Sequence, residues 1–132
     1  MKRGEEGLQR ALVAFLRASL PKPWLVFHVP NGGGRSKAEG GILKAMGVRA
    51  GIPDLFLLGP NSRLIAIECK APPRTLKTRA RKSLAKARFS EAQQETIAAL
   101  GELGVPTLIA RNVEETIAAL AALGVPFRGR VV

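Results

Sequence analysis

The feature that most constrains the fold is a pair of apolar runs that are joined by a turn cluster and end in charged residues. The first run, Leu55 to Leu58, directly follows Asp54, which is the only aspartate among 132 residues. The second run, Leu64 to Ile67, leads into Glu68-Cys69-Lys70, and Gly59-Pro60-Asn61-Ser62 lies between the two runs. Because glycine, proline and asparagine cluster in tight turns, the two runs are predicted to form a β-hairpin.

The predicted hairpin brings three ionisable groups to one of its ends. Its register places Asp54 opposite Glu68 to within about one residue. Side chains alternate between the faces of a strand, so Glu68 and Lys70 share a face. The plainer alternatives are that Asp54 caps a turn after Pro53 and that Glu68 and Lys70 end an exposed strand. We favour convergence, because charged side chains rarely lie inside a sheet unless they are paired or hold a metal ion.

This predicted cluster has the chemistry of a metal site. The carboxylates of Asp54 and Glu68, together with the backbone carbonyl of Cys69, are hard oxygen ligands suited to Mg²⁺ or Mn²⁺. Lys70 beside such an ion is placed to orient and deprotonate a water molecule. The sequence therefore predicts hydrolysis of a phosphodiester. The Cys69 thiol is expected to contribute packing only, because Glu68 points to the opposite face.

The charge balance predicts a polyanionic partner. The formal net charge is +11, and residues 71 to 89 supply much of the excess with seven basic residues and no acid. We expect this basic insert to contact nucleic-acid phosphates, with a solvated surface as the alternative. Its basic residues are Arg74, Lys77, Arg79, Arg81, Lys82, Lys86 and Arg88. The glycine-rich loop and the start of the next helix are a second expected contact, through Asn31, Arg35 and Lys37, with solvated loop charges as the alternative.

The rest of the composition limits the class of protein. A single cysteine rules out an intramolecular disulfide framework, and one cysteine with one histidine argues against a zinc site. The strongest apolar runs are too short to span a bilayer, and the N-terminal residues do not resemble a secretion signal. We therefore expect a single cytoplasmic domain over residues 1–132, with no membrane association.

Hydrophobic periodicity and capping signals predict an α/β fold with a small mixed central sheet flanked by helices. Helices are expected over residues 5–19, 36–46, 90–103 and 112–123, and strands over 24–29, 54–58, 64–70 and 105–110, with a short terminal strand after Gly124. The pentapeptide Thr96–Leu100 recurs as Thr116–Leu120, which indicates two helix-then-strand units on one sheet. In the first helix, Glu5 aligns with the apolar stripe at Leu12, whereas Glu6 points towards its polar flank.

The ordered set Glu5, Pro53-Asp54 and Glu68-Cys69-Lys70 resembles the PD-(D/E)XK nuclease superfamily. More narrowly, the chain resembles a VRR-NUC domain, the virus-type replication-repair nuclease, over about residues 5 to 120. The narrower resemblance is carried by His28-Val29-Pro30-Asn31-Gly32 with Arg35-Ser36, by Gly51-Ile52-Pro53-Asp54, and by Phe89-Ser90 with Gln93 and Leu100.

The resemblance implies a restriction-endonuclease-like fold and a metal-dependent DNA endonuclease. Asp54, Glu68 and the Cys69 carbonyl would hold Mg²⁺ or Mn²⁺, and Lys70 would assist the attacking water. Glu5 matches the helical glutamate that completes the family's site, with Glu6 as its competitor. Gln93 matches a glutamine near the family's active site, although a capping box with Ser90 explains it equally well. For His28, a hydrogen-bonding role at the strand end is favoured over a metal ligand or a general base.

The resemblance also suggests a substrate and an assembly. Stand-alone members from phages and bacteria are similar to Holliday-junction resolvases of DNA repair and tend to dimerise, so a branched DNA substrate and a homodimer are expected. The longer basic insert departs from the most compact members and leaves substrate choice open. The alternatives are a flap or general DNA endonuclease and a catalytically silent nucleic-acid-binding module. RNA is an open substrate class as well.

Overall fold

A four-stranded sheet between helices organises the chain in the computed structural model, which describes residues 3–30, 36–70 and 89–129. The helices and strands follow the expected αβα–ββ–αβα order. In chain order they are α1 Arg3–Ser19, β1 Leu25–His28, α2 Lys37–Ala45, β2 Leu55–Gly59, β3 Arg63–Cys69, α3 Glu91–Glu102, β4 Thr107–Ala110 and α4 Val113–Ala122.

The sheet is mixed, with strand order β1-β2-β3-β4. The first three strands are antiparallel, while β4 runs parallel to β3. The hairpin of β2 and β3 pairs Leu55 with Ile67 and closes over a 3₁₀ turn at Pro60–Ser62. Its register is the one that the turn cluster predicted.

The main hydrophobic core lies on one face of this sheet, against α1 and α4. Leu12 and Leu16 of α1 are fully buried, as the apolar stripe predicted, and each contributes about 1.5–3 kcal/mol of burial free energy. They pack with alternate residues of the sheet and with one side of α4: Leu55, Leu57, Ile65, Ile67, Ile117 and Leu120. Because side chains alternate, Glu68 and Lys70 lie on the other face, where α3 covers them.

Polar caps fix where α3 and α4 begin. The Ser90 hydroxyl accepts from the Gln93 N–H at 3.1 Å, and the Gln93 side-chain oxygen accepts from the Ser90 N–H at 3.0 Å, which completes the predicted capping box. Asn112 caps α4 through its side-chain oxygen, which accepts from the Glu115 N–H at 2.8 Å. Both caps satisfy backbone donors that a helix N-terminus otherwise leaves unpaired.

The predicted terminal strand is wrong for the described residues, because residues 124–129 form no strand. Pro126 lacks the N–H that a sheet ladder needs. The segment instead closes the C-terminal end of α1: the Arg128 N–H donates to Ser19 O at 2.7 Å and its guanidinium donates to Ala18 O at 3.0 Å. Within the described residues, a strand therefore follows only the first helix of the repeat. No helix in the described parts of the chain is long and apolar enough to cross a membrane.

Candidate active site

Two buried carboxyl groups face each other at the open end of the hairpin. The pairing of Leu55 with Ile67, continued by one residue, places Asp54 opposite Glu68. Their side chains are only 7% and 3% exposed, respectively. Asp54 Oδ2 accepts a hydrogen bond from the Cys69 N–H at 2.9 Å, which fixes the aspartate against the neighbouring strand.

The electrostatics of this pair favour a proton or a cation between the two carboxyl groups. Burial raises the pKa of Glu68 to about 9, and the hydrogen bond with Asp54 and the charge of Asp54 act in the same direction. Lys70 lowers this pKa and Glu5 raises it further. A bound divalent cation would supply the positive charge that the pair lacks, so the donor set fits a hard metal ion. Burial also raises the pKa of the Cys69 thiol to about 12, which makes this thiol a poor nucleophile.

Gln93 joins Lys70 to Glu68. The Lys70 ammonium donates to Gln93 Oε1 at 3.3 Å, and Gln93 Nε2 donates to Glu68 Oε2 at 3.2 Å. The ammonium also lies 4.8 Å from the centroid of the Phe89 ring, in a cation–π contact. The capping box and the position at the site are therefore not alternatives, because one Gln93 side chain takes part in both.

The first turn of α1 separates the two candidate glutamates. Glu5 is half-buried, and its negative charge raises the pKa of both Glu68 and Cys69. Glu6 is exposed and forms an ion pair with Arg10 at 3.1 Å. The charge of Glu5 therefore reaches Glu68, whereas Glu6 is paired with Arg10 at the surface. Within the described residues, however, no three His, Cys, Asp or Glu side chains group closely enough to hold a metal ion together.

His28 holds the backbone of Asp54. Its Nδ1 lies 2.6 Å from Asp54 O, and since a carbonyl can only accept, Nδ1 carries the proton. The Val29 N–H donates to the same oxygen at 3.1 Å. This contact is the strand-end hydrogen bond that the sequence favoured for the single histidine.

The segment before Asp54 is docked on α3. Gly51 has φ +79°, and a Cβ there would lie 2.4 Å from the carbonyl carbon of Ala92, so this position requires glycine. The buried Thr96 hydroxyl donates to Ala50 O and accepts from Arg49 Nε, both at 3.0 Å. The helix that carries Gln93 and the loop that carries Asp54 therefore form one unit.

The sequence interpretation missed three polar residues. Thr96 looked like part of a repeat, and only its long-range contacts reveal its role. Gln9 lies one helical turn after Glu5, and its side-chain oxygen is buried without a hydrogen-bond partner in the part of the chain that the structure describes. The same is true of Nη1 of Arg111, which directly follows β4. For these two unpartnered groups, the sequence offered one signal, which is the i,i+4 spacing of Glu5 and Gln9.

The predicted nucleic-acid contacts lie mostly beyond the described ranges. Lys37 is exposed at the start of α2. The other predicted contacts fall outside the described residues and stay predictions: Asn31, Arg35, Arg74, Lys77, Arg79, Arg81, Lys82, Lys86 and Arg88.

Comparison with known proteins agrees with this geometry. The family model of the VRR-NUC domain matches residues 10–114, a span that includes Asp54, Glu68, Lys70 and Gln93 but not Glu5. A solved structure described as a VRR_NUC domain protein superposes with a TM-score of 0.63 over 92% of this chain and 88% of that chain, at 21% sequence identity, which shows a shared fold. No curated protein matches. A VRR-NUC domain implies nuclease activity on a nucleic-acid substrate, within a PD-(D/E)XK-like fold. The chain belongs to the VRR-NUC family.

Proposed function

We propose that this protein is a metal-dependent DNA endonuclease whose active site consists of Asp54, Glu68, Lys70, Gln93 and Glu5. The observation that carries the proposal is the buried pair of facing carboxyl groups with Lys70 tied to one of them through Gln93. Mg²⁺ or Mn²⁺ would be held by Asp54, Glu68 and the Cys69 carbonyl. Two protein carboxylates are typical for Mg²⁺, which keeps several waters and also binds substrate phosphates.

The bound ion would polarise the phosphate and lower the pKa of a nucleophilic water. The chain's own residues orient the reacting groups. Gln93 accepts from Lys70 and donates to Glu68, so it fixes the relative positions of the ammonium and the carboxylate. Lys70 is then held where its charge stabilises negative charge that develops on the phosphate in the transition state. The Phe89 ring covers the ammonium and helps to keep it in place.

The substrate is expected to be branched DNA, with a four-way junction favoured over a flap. The support is the net charge of +11, which suits a polyanionic substrate, together with the family resemblance described above. A four-way junction has two symmetric cut points, so a resolvase should act as a two-fold dimer. Flap or general endonuclease activity remains the second candidate. A silent binding module would not require buried carboxylates, which are costly to keep in a fold.

The test compares labelled junction, flap, duplex and single-stranded DNA, and RNA of the same sequence, each with Mg²⁺, Mn²⁺ or a chelator. Wild-type protein should cut the junction in two symmetric places only when the metal is present. Glu68→Gln should abolish cleavage while DNA binding persists, and Glu114→Gln, which changes an exposed acid on α4, should cut like wild type. Unchanged cleavage by Glu68→Gln would refute the site, and cleavage of RNA alone would refute the substrate class. Sedimentation with and without junction DNA separates a dimeric resolvase from a monomeric nicking enzyme.

A further inference from the structure

A second basic residue lies beside Lys70 at the same end of the sheet. Strands β3 and β4 are parallel, and Cys69 pairs with Ala110. Continuing this register by one residue places Arg111 next to Lys70, and the Lys70 N–H donates to Ala110 O at 2.8 Å. Neighbouring residues in register on parallel strands extend to the same face of a sheet. The register thus places Arg111 beside Lys70, at the end of the sheet where the carboxylates lie.

Within the described residues, one donor of the Arg111 guanidinium has no partner. Nη1 is buried, and it has no hydrogen-bond partner among the described residues. Among the described residues, no salt bridge joins Arg111 to a carboxylate. Buried donors in folded proteins are normally satisfied, and an unsatisfied charged donor is costly. A donor of this kind at the edge of a nuclease site indicates an acceptor that arrives with the substrate.

The backbone on both sides of Arg111 is anchored. Ala110 is fully buried and its carbonyl accepts from Lys70. Asn112 caps α4 through the hydrogen bond from the Glu115 N–H. Arg111 is therefore held between a core residue and a helix cap, so binding a ligand there requires little ordering of the main chain.

We propose that Arg111 binds a backbone phosphate of the substrate, adjacent to the phosphate that is cleaved. This inference rests on the proposed function, because it takes the ligand to be a phosphodiester chain. The planar guanidinium offers paired donors that match two phosphate oxygens. A separate cation is needed for the neighbouring phosphate, because Gln93 and Phe89 hold the Lys70 ammonium at the phosphate that is cleaved.

The test measures DNA binding independently of cleavage. Fluorescence anisotropy with a labelled DNA junction in chelator, over a range of NaCl concentrations, gives the affinity and its salt dependence. Arg111→Gln should weaken binding about tenfold and lower the slope of log affinity against log salt by about 0.9. The matched control Arg17→Gln removes one exposed positive charge at the C-terminal end of α1 and should leave both quantities near wild type.

Two further measurements keep the inference falsifiable. Thermal melting should show Arg111→Gln within about 2 °C of wild type, because Nη1 has no described partner to lose. Arg111→Lys keeps the positive charge but not the planar guanidinium, so it should keep the salt slope and bind less tightly than wild type. If Arg111→Gln does not fold, the binding test is made with Arg111→Lys. Binding by either variant equal to that of Arg17→Gln would overturn the inference, as would a loss of melting temperature with unchanged affinity. If Arg111 governs binding but no DNA is cut, the proposed activity fails and this site stands; if DNA is cut and Arg111→Gln binds normally, only this site fails.

Discussion

Helices α3 and α4 contain the same pentapeptide, Thr-Ile-Ala-Ala-Leu, but use it differently. In α4, Ile117 and Leu120 are buried in the main core, and the Thr116 hydroxyl donates to Asn112 O at 2.7 Å within its own helix. In α3, the corresponding Ile97 and Leu100 are only half-buried. There the Thr96 hydroxyl reaches across the fold to Arg49 and Ala50.

The comparison shows that one local sequence can serve either stability or a site. The pentapeptide dictates a helix in both places, and the cap residues start both helices in the same way. What differs is the surface beneath each helix. An apolar face lies beneath α4, whereas the loop before Asp54 and the charged end of the hairpin lie beneath α3. Three pairs of matched variants and one pH profile follow, in order of decreasing effect.

The largest effect is expected where α3 meets the Asp54 loop. Gly51→Ala would force a Cβ to within 2.4 Å of the Ala92 backbone at a positive φ, so the helix or the loop must move. We expect a loss of about 3 kcal/mol of folding free energy and loss of nuclease activity. Gly101→Ala, at a position of α3 with nothing within 4 Å, should instead stabilise the protein by about 0.5–1 kcal/mol. Urea unfolding and a cleavage assay on both variants provide the check. If Gly51→Ala kept the stability and activity of wild type, the Asp54 loop would not be tightly packed on α3.

The second pair concerns the third residue of each helix. Gln93→Ala removes the link between Lys70 and Glu68 and should lower the cleavage rate about a hundredfold, a typical loss for one positioned hydrogen-bonding group. Glu115→Ala changes the same position of α4, far from this link, and should leave the rate within twofold of wild type. That limit corresponds to a change of about 0.4 kcal/mol in the activation free energy. Single-turnover kinetics measure both variants. Equal cleavage rates for the two variants would mean that Gln93 only caps the N-terminus of α3.

The third pair removes the two hydroxyl groups. Thr96→Val leaves Ala50 O and Arg49 Nε without their described partner, which should cost about 1–2 kcal/mol of stability. Displacement of the Asp54 loop should also lower the cleavage rate roughly tenfold. Thr116→Val should cost about 0.5 kcal/mol or less and leave the rate unchanged, because Asn112 O still accepts from the Thr116 N–H. The comparison breaks down if Thr116→Val lowers the rate as much as Thr96→Val.

The smallest effect concerns stability against pH. The pKa of Glu68 rises from 4.5 in the unfolded chain to about 9 in the folded protein without metal, so the folded state keeps a proton that the unfolded state releases. The contribution of Glu68 is therefore fully present below pH 4.5 and is lost as the pH rises towards 9. Glu68→Gln should be more stable than wild type by about 1 kcal/mol at pH 8 in chelator, with a flatter pH profile. Melting curves with and without Mn²⁺ give the reverse check: the metal should stabilise wild type but not the variant.

Most of the hairpin and its site followed from the sequence because their determinants are local. The turn cluster set the strand register, and that register alone brought Asp54 to Glu68. The pattern Ser90-Glu91-Ala92-Gln93 likewise specified the start of α3. The phase of an amphipathic helix was enough to direct Glu5 and Glu6 to different sides. Each of these inferences needs only neighbours along the chain or across one turn.

What the sequence could not supply depends on contacts between distant segments. Thr96 meets Ala50, 46 residues earlier, and no periodicity predicts such a contact. The parallel pairing that places Arg111 beside Lys70 depends on how the chain crosses over, which local patterns leave open. The failed terminal strand has the same origin. Val125-Pro126-Phe127 resembles the earlier Val105-Pro106-Thr107, but its neighbour Arg128 reaches Ser19 O instead of a strand.

The contact between Lys70 and Phe89 has a consequence for how this protein can vary. Lys70 and Phe89 flank residues 71–88 in the sequence. The Phe89 ring centroid lies 4.8 Å from the Lys70 ammonium. This contact therefore holds the residue before the basic insert against the last residue of the insert. The closure entropy of a chain segment grows only slowly with its length. Because the contact fixes both ends of the segment whatever lies between them, we expect changes in the length of the insert to leave the hairpin and its carboxylates in place.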